Sequence, residues 1–236
     1  MTKLKYLEDS YLYKYESVFI EEKNHEKWTA LILEETIFYP QWGWQKSDIW
    51  KIFSEDSCFL VNNAKLDENW IVWHFWEFLN WNFKKWEKVK LEIDEEKRIE
   101  NSKLHSAWHL IDCGIQKIWV KNFEPIKWFH FIEWPYVEYK WTIENIEEFT
   151  EKLQTIIDEL VSSNIQVEKR EISLEEAKNR WIFAPEWKSA RIVNFAWFQE
   201  VWCWWTHINY TKELWKITIR KIKSKWWNTK ISYNIR

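Results

Sequence analysis

The sequence predicts an α+β protein in two parts. A small, β-barrel-like N-terminal domain covers residues 1–94, and an α+β domain with an antiparallel sheet covers 95–236. Three observations carry this. The first 93 residues hold only alternating or apolar runs of strand length, broken by polar turns. Helical spacing first appears in KLHSAWHLIDCGIQKI, at Leu104, Leu110, Ile111, Ile115 and Ile118. Beyond it, strand-like runs and amphipathic helices alternate, as in a domain whose helices pack on an antiparallel sheet.

In order along the chain, residues 13–24 (YKYESVFIEEKN) and 28–38 (WTALILEETIF) read as a β-hairpin turning at Asn24–Lys27. The polar, turn-like FYPQWGWQKSDIWKI follows, and strands are expected at 51–62, 70–76 and 87–94. The charged stretch EEKRIENSK then leads into the helix that carries His105, which places the domain boundary at 94–100. KWFHFIEWPYVEYK (127–140) is aromatic and β-branched, hence strand. Thr142 is expected to cap a helix whose Ile143, Ile146, Phe149, Leu153, Ile156, Ile157 and Leu160 form one apolar face. Ser173 and Glu176 make a capping box for SLEEAKNR, and strands return at 165–172, 190–198, 215–223 and 229–235.

Composition narrows the class. With 236 residues, 46% hydrophobic and 30% charged, the chain has the make-up of a soluble globular protein. It has no apolar run long enough to span a bilayer and no signal-peptide pattern at its start, so a cytoplasmic protein without membrane partners is expected. Three cysteines give no disulfide framework. A net charge of -3 argues against nucleic-acid binding over the whole surface, but Lys212–Arg236 holds eight Lys or Arg and one acid, a local basic segment suited to a polyanion or simply to solvent.

Four residues point to metal chemistry. His105 and His109 sit one helical turn apart, so both imidazoles leave the same face, and Cys203 and His207 repeat that spacing far along the chain. Imidazole nitrogen and thiolate sulfur suit zinc in a tetrahedral shell, which would tie two distant elements together. A closed four-ligand site that only stabilises the domain and a catalytic site both fit this spacing.

The tryptophans are out of place. There are 23 Trp and only 2 Gly, and Trp stands between polar residues where strands should end, in EKWT, DENW, LNWN, KKWEK, IEWPY, PEWKS, KELWK and KWWNT. Such positions ordinarily take glycine, which accepts positive φ without steric penalty. Most of these tryptophans therefore read as glycine positions, whereas Trp73, inside the apolar IVWHF, reads as a true tryptophan.

With Trp read as glycine, residues 38–50 become FYPQGGGQKSDIG, 105–109 HSAGH, 203–207 CGGTH and 225–233 KGGNTKISY. In order and spacing these resemble the motifs of the editing region of alanyl-tRNA synthetase and of the AlaX trans-editing proteins, over nearly the whole chain. The FYPxGGGQxxDxG unit resembles the longer AlaX form, and nothing like an aminoacylation domain precedes it, so a freestanding editor is expected. By that resemblance His105, His109, Cys203 and His207 are zinc ligands and zinc is the cofactor. The activity implied is ATP-independent hydrolysis of seryl-tRNA(Ala), and of glycyl-tRNA(Ala), at the tRNA acceptor end, with no DNA partner. Thr206, within the ligand motif, is a candidate for lining the substrate pocket. No Ser-His-Asp arrangement or general base emerges, so the catalytic residues are unassigned. The alternative is a non-catalytic, zinc-stabilised tRNA-binding module whose pocket is blocked, because Trp42, Trp44, Trp108, Trp204 and Trp205 replace the motif glycines.

Overall fold

The computed structural model describes residues 1–25, 27–41, 44–118, 123–182, 190–195, 198 and 200–235; Trp42 and Trp187 lie outside the described residues. Two compact units are present, Met1–Asn101 and Ser102–Arg236.

The first unit contains β1 (Lys3–Leu4), β2 (Lys14–His25), β3 (Trp28–Leu33), β4 (Glu35–Thr36), β5 (Trp50–Phe53), β6 (Cys58–Leu66), β7 (Val72–Phe78) and β8 (Lys88–Ile93). Six of them close into an antiparallel barrel in the order β2-β3-β7-β6-β5-β8, with β8 returning to β2 at Lys14–Glu92. Strand alternation explains the core: in β8, Val89, Leu91 and Ile93 are buried while Lys88 and Lys90 face out. Closure leaves none of these six strands with an unpaired edge.

Two strand expectations need correction. Residues 51–62 form two strands, because the polar cluster SEDS turns the chain and Ser54 N–H donates to the Ser57 carbonyl at 2.8 Å. The 28–38 strand also breaks after Leu33, where β4 leaves the barrel to pair in parallel with β1.

The FYP…D segment has a structural explanation in this unit. Asp48 is buried and accepts the Tyr39 N–H at 2.6 Å. It also pairs with the buried guanidinium of Arg98, whose Nε lies 3.1 Å from both carboxylate oxygens and whose Nη1 donates to the Ser10 carbonyl. Arg98 lies on α1 (Glu95–Lys117), which starts at Glu95, so EEKRIENSK is helix rather than a lead-in. The Asp94 carboxylate accepts the Lys97 N–H at 3.1 Å, and Glu95 and Glu96 sit in the first turn, where negative charge favours the helix dipole.

The second unit takes α1 from Ser102 onward, then β9 (Pro125–Phe129), β10 (Tyr136–Tyr139), α2 (Ile146–Ser162), β11 (Val167–Ile172), α3 (Leu174–Asn179), β12 (Ala190–Phe195), β13 (Val201–Trp202), β14 (Ile217–Lys225) and β15 (Asn228–Ile235). Its strands form an antiparallel four-stranded sheet, β14-β15-β10-β9, and a three-stranded sheet, β11-β12-β13. The protein is therefore α+β, a closed barrel followed by helices with antiparallel sheets.

Helix α2 is capped by Asn145, whose side chain accepts the Glu148 N–H at 3.2 Å, and not by Thr142. Ile143 lies before the helix, its N–H donating to Ser224 Oγ. The Ser173 cap on α3 forms as expected, accepting the Glu176 N–H at 3.0 Å. Gln154 fixes α2 on β14 by donating to the Ile217 carbonyl and accepting the Ile219 N–H, both at 2.8 Å. Gly114 marks where α1 meets α2: a Cβ there would stand 2.8 Å from Leu153 Cδ1. Among the described residues no helix is long and apolar enough to cross a membrane.

Candidate metal centre

Helix α1 presents His105 and His109 on one face, and the segment after β13 presents Cys203 and His207. One ligand atom from each of the four lies within 4.8 Å of all the others. His105 Nε2 is 3.0 Å from Cys203 Sγ and 3.0 Å from His109 Nε2, and His207 Nε2 is 3.3 Å from Cys203 Sγ. All four side chains are buried.

Burial sets the electrostatics of this cluster. It pushes His105 and His207 well below the usual histidine range, with neighbouring imidazoles adding to the effect, and takes His109 down to about 3. The same desolvation raises the Cys203 thiol to about 11. Three imidazoles held neutral keep their lone pairs available, which is the state a metal requires. A thiol that resists ionisation in an apolar pocket becomes a thiolate when a divalent cation supplies the opposing charge. Three nitrogens and one sulfur, close enough to share a centre, fit a tetrahedral zinc shell by donor chemistry.

Supporting groups hold the ligands in place. Ser106 Oγ accepts the Ile208 N–H at 3.2 Å and lies 3.3 Å from His207 Nδ1, so His207 is held by its second nitrogen while Nε2 faces the cluster. The buried Arg191 guanidinium donates from Nη1 to the carbonyls of Cys203 (2.8 Å) and Trp205 (3.1 Å), and the Cys203 N–H donates back to the Arg191 carbonyl. Thr206 is fully buried, and its Oγ1 accepts from Ser102 Oγ at 2.8 Å. Arg191, Ser106 and Ser102 escaped the sequence reading, because nothing in their local spacing points to the cluster.

Aromatic rings cover the centre. Trp108 lies 5.3 Å and Trp205 4.3 Å from His105, centroid to centroid, and Trp108 stacks on His109 at 4.7 Å. His130, also missed in the sequence, lies 5.2 Å from His105.

Fold and cluster define a class: a two-unit α+β protein, with a closed barrel in one unit and a buried three-histidine, one-cysteine centre in the other. Comparison with known proteins shows what the chain is similar to. A family model described as tRNA synthetases class II (A) matches residues 6–97. Alanine--tRNA ligase 1 of Lachnoclostridium phytofermentans is 28% identical over 200 residues, 83% of this chain and 22% of that protein. The alanyl-tRNA editing protein AlaX-L of Pyrococcus horikoshii is 27% identical over 114 residues, 48% of this chain and 28% of that protein. Alanine--tRNA ligase of Buchnera aphidicola is 27% identical over 205 residues, 84% of this chain and 22% of its own length. The chain thus spans about a quarter of the length of the curated relatives it matches. These matches agree with the resemblance carried by the motifs: the chain is similar to alanyl-tRNA synthetases and to an AlaX-type editing protein.

Proposed function

We propose that this protein is a trans-editing hydrolase that deacylates mischarged tRNA(Ala), chiefly seryl-tRNA(Ala) and also glycyl-tRNA(Ala), at a zinc ion held by His105, His109, Cys203 and His207. The observation that carries the reading is the convergence of these four buried donors from two distant segments, in a chain related to an alanyl-tRNA editing protein. When bound, zinc supplies a Lewis-acid centre that holds the aminoacyl group or polarises its ester. The chain's own residues do the rest: Arg191 and Ser106 hold the ligand segment in shape, and Thr206, pinned by Ser102, stiffens it from beneath.

A face of the four-stranded sheet suits the acceptor stem. A register shift between Ile219 and Lys221 leaves both Arg220 and Lys221 exposed, and Lys223 stands directly opposite Lys230. With Trp134, Tyr136 and Ser232 these residues line a concavity of about 590 Å³. Like charges opposite each other destabilise a sheet. Burial chiefly, with smaller effects from Lys127 and Lys223, holds the Lys230 pKa below the usual lysine range despite the opposing Glu138. Phosphates would supply the missing negative charge, and the aromatic rings would support bases or sugars. Reversing Lys221 and Lys223 to Glu is expected to weaken tRNA binding at least 10-fold and to flatten its salt dependence. Unchanged affinity would remove this face from the reading.

A second reading has its own observation. Trp108 and Trp205 pack directly on His105, which favours a zinc-stabilised tRNA-binding module with a blocked pocket. Hydrolysis of seryl-tRNA(Ala) measured beside alanyl-tRNA(Ala) separates the two: preferential turnover of the seryl ester supports the editor, and tRNA binding without turnover supports the module.

A further inference from the structure

His130 has a hydrogen-bond direction fixed by its neighbours. Tyr233 Oη donates to the Leu104 carbonyl at 3.0 Å, so its oxygen accepts from His130 Nδ1 at 3.1 Å. The ring proton is therefore on Nδ1, and Nε2 carries the lone pair. His130 is fully buried, and Nε2 has no hydrogen-bond partner among the described residues. A buried acceptor without a donor is costly, and one beside a candidate metal centre is most simply explained by a ligand that brings the donor. The ring sits beside the metal cluster, 5.2 Å from His105. Two indoles also flank it, Trp108, stacked at 5.1 Å, and Trp205, edge-on at 5.4 Å, both of which stand at motif glycine positions.

Resting on the deacylase reading, we propose that His130 Nε2 accepts a hydrogen bond from the side-chain hydroxyl of the misattached amino acid, and is the residue that reads serine. The serine side chain takes the space that the Trp108 and Trp205 indoles fill. A site built to pair with a hydroxyl discriminates strongly against a ligand that lacks it, because the acceptor is then left unpaired.

The test uses zinc-loaded protein carrying Trp108→Gly and Trp205→Gly, with His130 intact, His130→Leu or His130→Gln. Two readouts are taken: kcat/KM for seryl- and glycyl-tRNA(Ala), and affinity for non-hydrolysable seryl- and glycyl-amide analogues of the tRNA 3′ adenosine. His130→Leu is expected to weaken seryl turnover and seryl-amide binding by roughly 10- to 100-fold, the range for leaving one buried polar group unpaired. Glycyl values should change less than about 3-fold, zinc content should hold at one per chain, and His130→Gln, which keeps an acceptor, should recover most of the serine preference. Seryl and glycyl values falling together, or an unchanged ratio, would overturn the assignment. If no variant hydrolyses either ester, the deacylase reading fails, while the amide affinities still decide what His130 reads.

A separate observation carries a second inference. Among the described residues, seven non-glycine residues have positive φ: Trp50, Trp70, Trp86, Trp181, Trp215 and Trp226, with φ between 56° and 145°, and Asn164. Asparagine tolerates this region and an indole does not. Trp226 and Trp227 form the two-residue connection between β14 and β15, where the favoured turns call for glycine. Tryptophan also stands at motif glycine positions on the helix face at Trp108 and in the ligand segment at Trp204 and Trp205. The exchange follows residue type rather than surroundings, which is the pattern of a decoding difference and not of selection site by site. We infer that these positions are glycine in the protein its source cell makes, encoded by UGA, while Trp73 is tryptophan in both. Codon sequence and peptide mass spectrometry of the cell-derived protein test this. UGA codons and glycine masses at positions 226 and 227, with UGG and tryptophan at 73, are expected; tryptophan at 226, or UGG at both sets of positions, would overturn it.

Discussion

Replacing Trp181, Trp215 and Trp226 together by glycine should make this protein more stable, although it deletes three large apolar side chains. All three belong to the second unit, have φ of 58°, 56° and 60°, and are 93%, 79% and 80% exposed. With so little area buried, their removal forfeits little packing. A left-handed L-residue costs about 1–2 kcal/mol. Glycine's extra freedom in the unfolded chain offsets about 0.5–1 kcal/mol of that. The net gain is about 0.5–1 kcal/mol per site, or about 1.5–3 kcal/mol for the three acting independently. For a unit of this size 1 kcal/mol moves Tm by about 4 °C, so a rise of about 6–12 °C is expected in the melting of the second unit. Differential scanning calorimetry at fixed metal loading reads it. Trp73→Gly is the control, because Trp73 is half-buried, its Nε1 donates to Asp67 Oδ2 at 2.9 Å, and the Lys23 ammonium lies 4.4 Å over its ring. That variant should lose roughly 2 kcal/mol. A triple variant that melts at or below the parent would refute the reasoning, since it would mean that the left-handed backbone at these sites carries no strain.

Three further outcomes follow from the same geometry. Cys203→Ala should reduce zinc from about one per chain to near none by elemental analysis, and unchanged metal content would remove Cys203 from the shell. His74 is fully buried, with Nδ1 donating to the Leu31 carbonyl and Nε2 accepting from Thr36 Oγ1, and burial holds its pKa down to about 4. Below the ordinary histidine value the unfolded chain takes up a proton that the folded barrel refuses, so stability should be lost as pH falls from about 6.5 to 4, by about 3 kcal/mol. Denaturant titration across that window, with His74→Phe abolishing this component, checks the sign; a barrel equally stable at both ends would contradict it. Arg98→Ala strands the buried Asp48 carboxylate and should cost about 3–5 kcal/mol of first-unit stability, and a loss under 1 kcal/mol by the same titration would show that Asp48 finds another partner.

The local rules of the chain were legible in the sequence. Period-two alternation in KVKLEI, apolar spacing in α2, the Ser173 cap and the four-residue step between His105 and His109 all follow from backbone geometry that each segment carries by itself. Even so, short-range signals compete: Asn145 won the α2 cap over Thr142, because its side chain reaches the Glu148 N–H from just before the first turn. Other features came only from the tertiary structure. Closure of the barrel through β8 and β2, the Asp48–Arg98 pair 50 residues apart, and the approach of Arg191 and His130 to the cluster have no spacing to betray them. The reason is physical: a strand or helix fixes the direction of its own side chains, but which distant side chain meets them is decided by the packing of whole elements. His130 Nε2, unpaired among the described residues, is left with its lone pair only because Tyr233, arriving on β15, has turned its hydroxyl toward Leu104.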